Sequence, residues 1–217
     1  MRRRSWRDGR YLCVDVELTG LDPHVDEVIA FGAVPIDDGR IRAAGAIEGM
    51  VRPRTERRTG AVEIHGILPH DLDHAPPLAE AMEPLARAME GRTPIVHAAW
   101  VERAFLGPAL RTAGGRLPRR MIDTAMLWRL YGIVREGVDP GYPQLAHLTS
   151  ALGLPSHHPH QALGDALTTA QVFLSLATRL ERLGQGSLRD LEHAEDRVKT
   201  HRQFNPPTSR PQPRQAG

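Results

Sequence analysis

A chain of 217 residues, 41% of them hydrophobic, is long enough for one substantial core, and no apolar run approaches the length of a membrane span. The 28 basic and 26 acidic residues leave a formal net charge of only +2, so overall charge predicts no strongly basic binding surface. The single cysteine, Cys13, excludes an internal disulfide, and the apolar run after the arginine-rich first ten residues is too short for a signal peptide. These features predict a cytoplasmic protein in a reducing compartment.

The first third of the chain predicts an antiparallel meander of strands. Apolar and acidic residues alternate in the run that ends at residues 14–17, and a second apolar run covers residues 28–34. A third strand is predicted around residues 41–51, and Asp37-Asp38-Gly39 is a hairpin-turn signal ahead of it.

Helical periodicity follows the meander. It begins with residues 78–89. Thr93-Pro94 then breaks the helical pattern, and a short strand is predicted over residues 95–97. Further helices are predicted over residues 101–113, 124–131, 143–152 and 161–182. Strands first, helices later and one strand between them predict an α/β fold with a mixed layer arrangement.

The composition divides the chain into four segments. We expect an arginine-rich leader over residues 1–10, a folded domain over residues 11–183 and a C-terminal helical extension over residues 184–203. Residues 204–217 hold four prolines and few apolar residues, which predicts a disordered tail.

Asp15 and Glu17 are two residues apart in the first predicted strand. Because successive strand side chains point to opposite faces, both carboxylates project the same way. Alternating acids also occur on the solvated face of an edge strand, so the pair alone allows two interpretations. The turn Thr19-Gly20 follows at once, and its backbone amides could meet a phosphate or a base.

A third acid, Asp165, lies inside the extended apolar arc of the last long helix on a helical wheel. A carboxylate there is at least partly buried and needs a cation, a strong donor or a proton. A divalent metal shared with Asp15 and Glu17 meets that need, and hard oxygen ligands favour Mg²⁺ or Mn²⁺ over zinc. The alternative is an aspartate placed near a helix N-terminus for the helix dipole.

His160 precedes that helix in the run His157-His158-Pro159-His160. A histidine with a pKa near neutrality, on a loop beside the acids, is suited to act as a general base. We interpret His157 and His158 as solvated loop residues. A zinc-dependent hydrolase that uses the histidine cluster is a competing interpretation, but the cluster lacks cysteine partners and a ligand set at good spacing.

Four ordered segments resemble the DEDD superfamily of 3′–5′ exonucleases, in the histidine-bearing DEDDh branch that includes the epsilon proofreading subunit of bacterial DNA polymerase III. Asp15-Val-Glu17-Leu-Thr-Gly20 is similar to the first motif of the family, and His160-Gln-Ala-Leu-Gly-Asp165 is similar to the third. Residues 63–67 and 122–124 resemble secondary signatures in the expected order. The likeness covers about residues 10–183.

The resemblance implies a ribonuclease H-like mixed sheet flanked by helices, and two Mg²⁺ or Mn²⁺ ions. It implies that the metal ligands are Asp15, Glu17, Glu102 and Asp165, and that His160 deprotonates the attacking water. It also implies that four residues line the terminal nucleotide: Leu18, Thr19, Gly20 and His65. Trp100 is expected to stack on or wedge the terminal base, with core packing as its alternative.

The second family motif is altered in this chain. Ala98 stands where asparagine is usual, and Glu102 stands where the fourth carboxylate is normally aspartate. One extra methylene moves the carboxylate by about 1.5 Å, a displacement comparable with those that slow catalysis a hundredfold. Glu102 keeps the charge, so we expect an active enzyme that favours Mn²⁺. Asp123 is interpreted as a structural helix cap.

The resemblance implies stepwise hydrolysis of nucleic acid, with DNA favoured, from single-stranded or frayed 3′ ends of DNA or RNA, to release nucleoside 5′-monophosphates. It allows a DNA polymerase partner and leaves the oligomeric state open. The competing class is a binding or regulatory protein that keeps the exonuclease fold with a weakened catalytic site, for which Glu102 is the main reason.

Overall fold

A mixed sheet organises the protein, and the computed structural model describes residues 4–54 and 62–204 of the chain. Six strands form the sheet in the described residues, in the order β3-β2-β1-β5-β6, with β4 also paired to β2. They are β1 (Arg10–Leu18), β2 (Val28–Asp37), β3 (Arg40–Ile41), β4 (Ile47–Met50), β5 (Thr93–Val96) and β6 (Ile122–Asp123). The predicted α/β fold class is confirmed.

Strand direction follows the length of each connection. β1 to β3 form the predicted antiparallel meander, and Asp38 and Gly39 turn between β2 and β3 with φ of 54° and 66°. A two-residue turn with two positive φ values matches the right-handed twist of paired strands. β5 pairs in parallel with β1, and β6 pairs in parallel with β5. The carboxyl ends of β1, β5 and β6 therefore meet at one edge of the sheet.

Helices cover both faces of this sheet. They are α1 (Val62–His65), α2 (Leu78–Met89), α3 (Ala99–Ala104), α4 (Leu106–Thr112), α5 (Thr124–Glu136), α6 (Leu145–Leu152), α7 (Ala162–Arg182), α8 (Leu188–Glu192) and α9 (Ala194–Phe204). Within the described part of the chain, none of them is long and apolar enough to cross a membrane.

The alternation of β1 separates two cores. Tyr11 and Cys13 pack in one cluster with residues of α5, α6, α7 and α9, whereas Leu12 and Val14 pack in the other with residues of α2 and α4. Asp15 has the same parity as Tyr11 and Cys13, so its side chain projects toward the face that α7 covers.

Two of the predicted elements differ from the structure, and one observed strand was not predicted. The single strand predicted over residues 41–51 is wrong: β3 and β4 are separated by a 3-10 turn at Ala43–Gly45, where three small residues have little tendency to form strand. The single helix predicted over residues 101–113 is wrong because Pro108 has no N–H for the carbonyl of Ala104, and α3 ends there. The two-residue strand β6 was not predicted, since it is too short to show a period.

Both ends of the described chain pack against the central domain. Trp6 from the predicted leader and Leu191 and Val198 from the predicted helical extension are buried in the same cluster as α5 and α7. The domain boundaries at residues 10 and 183 stay predictions. The predicted tail lies outside the described residues, apart from Phe204 at the end of α9.

Candidate active site

The three carboxylates predicted from the motifs converge at the sheet edge. Asp15 and Glu17 project from β1, and Asp165 lies in the first turn of α7. One ligand atom from each lies within 4.8 Å of the others. Among the described residues this is the only such group of potential metal ligands, so the histidine cluster forms no zinc site there.

A close approach of α7 to β2 creates this geometry. Gly32 pairs with Asp15 across β1 and β2, and a Cβ at Gly32 would lie 2.2 Å from the backbone nitrogen of Leu163. Only a glycine leaves room for the first turn of α7 at this position. Because Gly32 has no side chain, α7 approaches closely enough to bring Asp165 against β1.

Burial raises the pKa of each acid, and repulsion from neighbouring carboxylates adds to this effect for Asp15 and Glu17. Burial, then the Asp165 and Glu17 charges, raises the pKa of Asp15, and burial together with Asp165 raises the pKa of Glu17 to about 7. Burial also raises the pKa of Asp165, against the opposing effect of the His160 backbone N–H, which donates to Asp165 Oδ2 at 3.0 Å. In the described residues, no arginine or lysine forms an ion pair with these three carboxylates.

Glu102 is the fourth acid, and it is almost fully buried at 2% exposure. It lines the same cavity of about 470 Å³ as Asp15 and Asp165, and within the described part of the chain its Oε2 has no hydrogen-bond partner. Burial and then the Asp15 charge raise the pKa of Glu102. Four buried or half-buried carboxylates, with no basic side chain paired to them among the described residues, suit hard divalent ions, so the donor set fits Mg²⁺ or Mn²⁺.

The start of α3 positions Glu102 and depends on a remote cap. Ala98 is in the left-handed region, with φ 71° and ψ 60°, and has no side chain that can cap the helix. Asp123 Oδ2 instead accepts the Ala99 N–H at 3.0 Å, while Asp123 Oδ1 accepts the Ala125 N–H at 2.8 Å. The predicted cap role of Asp123 is confirmed, and the residue serves two helices, α3 and α5. The Tyr142 hydroxyl also donates to it at 3.2 Å.

The four residues predicted to line the terminal nucleotide all line this cavity: Leu18, Thr19, Gly20 and His65. The Thr19 N–H donates to the Glu27 carbonyl, and its hydroxyl donates to Asp26 at 2.9 Å, so its polar groups hold the turn rather than a ligand. His65 Nδ1 accepts the Ile67 N–H at 3.0 Å, which puts the proton of the neutral ring on Nε2. Burial lowers the pKa of His65 and keeps the ring neutral.

Trp100 lies on α3 but is 53% exposed and does not line the cavity. Core packing, the alternative for Trp100, is wrong. His160 is exposed and does not line the acid cavity: it lines an adjoining cavity of about 570 Å³ together with His65, and its N–H bonds to Asp165 Oδ2. The interpretation of His157 as a solvated residue is wrong, because it is half-buried and hydrogen-bonded to Gln171.

Sequence reasoning missed His97 and Tyr142. His97 lines the acid cavity, and its Nδ1 lies 2.9 Å from Thr124 Oγ1, which itself donates to the Val96 carbonyl. Nδ1 therefore donates, and burial lowers the pKa of this ring. The position of His97 directly after a parallel strand could have identified it, since sites form at the carboxyl ends of such strands. Tyr142 contacts the His97 ring from a loop that carries no such signal.

Comparison with known proteins decides the family. The model of the family described as exonuclease matches residues 12–173. The chain belongs to this exonuclease family. The predicted resemblance to 3′–5′ exonucleases of the DEDD type, the ribonuclease H-like fold and the assignment as a hydrolytic exonuclease are confirmed.

Two curated relatives and one solved structure illustrate the similarity. The PolC-type DNA polymerase III of Thermotoga petrophila is 30% identical over 195 residues, and the 3′–5′ exonuclease DinG of Bacillus subtilis is 27% identical over 186 residues. The matches cover 89% and 84% of this chain but only 14% and 19% of those proteins. Exonuclease I of E. coli with a dT13 oligonucleotide shares the fold, with a TM-score of 0.68 at 19% identity over 81% of this chain and 42% of that chain.

Proposed function

We propose that this chain is a divalent-metal-dependent 3′–5′ exonuclease that removes nucleotides from the 3′ ends of nucleic acid, with DNA favoured. The convergence of Asp15, Glu17 and Asp165 within 4.8 Å, with no arginine or lysine paired to them in residues 4–54 and 62–204, is the observation that carries the proposal. Two Mg²⁺ or Mn²⁺ ions bound there would supply positive charge at the scissile phosphate and lower the pKa of water.

The side chains have separate roles in this proposal. Asp15, Glu17 and Asp165 would hold the ions, and Glu102 would add a fourth carboxylate from α3. The His160 ring accepts the proton from the water whose oxygen attacks phosphorus. The bond from phosphorus to the 3′ oxygen breaks, that oxygen takes a proton from solvent to become the new 3′ hydroxyl of the shortened chain, and a nucleoside 5′-monophosphate is released.

Restriction to a chain end follows from the shape of the cavity. Leu18 and Gly20 line the cavity, and the buried His65 Nε2 has no hydrogen bond of normal geometry among the described residues. A buried donor without a partner gains a hydrogen bond when a substrate oxygen enters, which favours a positioned terminal nucleotide. Trp100, exposed on the neighbouring helix, is proposed to contact a base further along the strand.

The names of the relatives support DNA as substrate and a polymerase as partner. One curated relative is a DNA polymerase, and the exonuclease I structure contains a DNA oligonucleotide. The matched region is a small part of the polymerase, so association with a polymerase is proposed for this chain by analogy with the covalent linkage there.

Degradation of labelled oligonucleotides tests the proposal. Single-stranded DNA and RNA with free or blocked 3′ ends would be incubated with Mg²⁺ or Mn²⁺ and with the natural protein, Asp15→Asn or Asp73→Asn. Asp73 is exposed and outside the site, so Asp73→Asn is the matched control. We expect stepwise loss from free 3′ ends, with 5′-monophosphate products, that Asp15→Asn abolishes and Asp73→Asn leaves intact.

The DNA-to-RNA rate ratio from the same assay determines the substrate class. A folded natural protein that binds these oligonucleotides but cleaves none of them with either ion would refute the proposal. That outcome would favour the alternative function, a nucleic-acid-binding protein with a weakened site, for which the altered second motif at Ala98 and Glu102 is the supporting observation.

A further inference from the structure

The loop that carries His160 is attached to α7 through side chains outside the family motif. The His157 N–H donates to Thr168 Oγ1 at 3.2 Å, and the Thr168 hydroxyl donates to the Gly164 carbonyl at 2.8 Å. His157 Nε2 lies 2.9 Å from Gln171 Nε2. We name His157, Thr168 and Gln171 the loop anchor. It fixes the chain three residues before His160.

The backbone of this loop needs such an attachment. His158 and His160 both have positive φ, 40° and 62°, a region that few residues other than glycine adopt, although histidine does so more often than most. Each such residue costs about 1 to 2 kcal/mol and persists only where neighbouring contacts hold it. The close approach of Gly164 to the His157 carbonyl, where a Cβ would lie at 2.2 Å, is a further contact of this kind.

The His160 side chain depends on that backbone for its direction. Its N–H bonds to Asp165 Oδ2, but no hydrogen bond of its ring is found within residues 4–54 and 62–204. The ring is exposed. Because the ring has no hydrogen-bond partner of this kind, its direction depends on the φ and ψ angles of His160. Contacts at the two ends of the loop set these angles. One end is His160, whose N–H bonds to Asp165. The other end is His157, which bonds to Thr168 and Gln171.

The Gln171 contact is compatible with both amide orientations. In one, the amide N–H donates to an unprotonated Nε2 of His157, and in the other the amide oxygen accepts an Nε2–H. Thr168 is only 1% exposed, so a substitution that removes its hydroxyl leaves the His157 N–H without an acceptor. The anchor is therefore sensitive to small changes in either side chain.

We propose that His157, Thr168 and Gln171 are positioning residues that hold His160 in the orientation needed for proton transfer. The proposal rests on the general-base role of His160 in the proposed function. A displacement of about 1 Å in a reacting group can slow catalysis a hundredfold, so a loosened loop lowers kcat while substrate binding in the cavity is retained.

Steady-state kinetics of Gln171→Met and Thr168→Val test this, with Thr178→Val as the matched control. Thr178 lies on the same helix seven residues beyond Gln171 and outside the anchor. We expect kcat to fall about tenfold with KM within about twofold for the two anchor variants, and no change for the control. In a His160→Ala background the same substitutions should produce no further loss.

Amide hydrogen exchange of the metal-free protein gives a readout that is independent of activity. Exchange in residues 156–161 should accelerate in Gln171→Met and Thr168→Val, while the thermal shift on adding Mg²⁺ stays as in the natural protein. A loss of activity of the same size in both backgrounds, or a reduced Mg²⁺ shift, would mean that the anchor acts through the carboxylates and would overturn the proposal.

The activity of His160→Ala distinguishes a failure of the anchor from a failure of the proposed function. If His160→Ala is inactive but Gln171→Met and Thr168→Val turn over normally, the anchor is refuted and the proposed function stands. If His160→Ala has full activity, His160 is not the general base, and the positioning role is refuted with it.

Discussion

Ala98 has a left-handed backbone conformation at the residue before α3, with φ of 71°. An L-residue with a Cβ pays about 1 kcal/mol there, whereas glycine and asparagine tolerate the region. We expect Ala98→Gly to raise the free energy of unfolding by about 0.5 to 1 kcal/mol, measured by urea denaturation. Ala98→Asn should act in the same direction.

The control for this prediction is the same substitution in a regular helix. Ala79 is exposed on α2, where glycine costs backbone entropy, so Ala79→Gly should lower stability by about 0.5 to 1 kcal/mol. Equal destabilisation by Ala98→Gly and Ala79→Gly would show that Ala98 is not strained.

Glu102 reaches the cavity on a side chain that is one methylene longer than the aspartate of the family motif. It lines the cavity but is not one of the three carboxylates that converge within 4.8 Å. We expect Glu102→Asp to change the rate ratio between Mg²⁺ and Mn²⁺ and to raise the Mg²⁺ rate, and Glu102→Gln to lower both rates about tenfold or more. Hydrolysis rates with each ion provide the measurement.

Glu80→Asp, on the exposed face of α2, makes the same chemical change outside the site and should leave both rates as they are. If Glu102→Asp has kinetics and metal preference equal to those of the natural protein, the extra methylene has no catalytic consequence.

The contact between α7 and β2 determines where Asp165 lies. Gly32 allows this contact because it has no side chain. A methyl group at Gly32 would meet the backbone of residues 162 and 163 and push the first turn of α7 away from β1. We expect Gly32→Ala to destabilise the fold by about 1 to 3 kcal/mol and to weaken the Mg²⁺-induced thermal shift, because Asp165 moves away from Asp15. Differential scanning fluorimetry with and without Mg²⁺ measures both effects.

Gly107 on α4 supplies the matched control. A Cβ there has its nearest neighbour, the Leu117 side chain, at 3.7 Å, so alanine fits and its helix propensity is higher. Gly107→Ala should be neutral or slightly stabilising, with an unchanged Mg²⁺ shift. A Gly32→Ala protein with the natural melting temperature and Mg²⁺ shift would show that α7 has room to move.

Sequence patterns predicted the elements with long, regular periods and missed those set by contacts between distant residues. The alternation of β1 placed Asp15 and Glu17 on one face, and the helical period placed Asp165 in a half-buried position. The close approach at Gly32 brings Asp165 to Asp15 and Glu17, and no local pattern in the sequence indicates that approach. The same limit applies to the anchor, since Gln171 has an ordinary polar position on the helical wheel.

The ionised carboxylates of the site destabilise the folded state of the metal-free protein. Burial and the Asp165 charge raise the pKa of Glu17 from 4.5 to about 7, so the folded chain binds this proton more tightly than the unfolded chain. This contribution to stability is fully present below pH 4.5 and is lost as the pH rises through 7. Asp15 and Glu102 shift in the same direction.

We therefore expect the free energy of unfolding in EDTA to decrease from pH 5 to pH 7.5. The part due to Glu17 is about 1 to 2 kcal/mol once solvent screening in a partly open site is considered. Glu17→Gln should remove that part of the slope and stabilise the metal-free protein at pH 7.5, as measured by urea denaturation across this range. Added Mg²⁺ should reverse the slope in the natural protein, because the ions compete with protons for the same oxygens.

Glu80→Gln neutralises an exposed carboxylate and should keep the full slope in EDTA. Other groups respond differently: Arg92 holds the pKa of Asp37 below its usual range, so its contribution is lost only at more acidic pH, outside the measured window. If Glu17→Gln and the natural protein have parallel stability profiles from pH 5 to pH 7.5, Glu17 carries no excess proton affinity. The carboxylates would then not be the source of the instability that metal binding is expected to relieve.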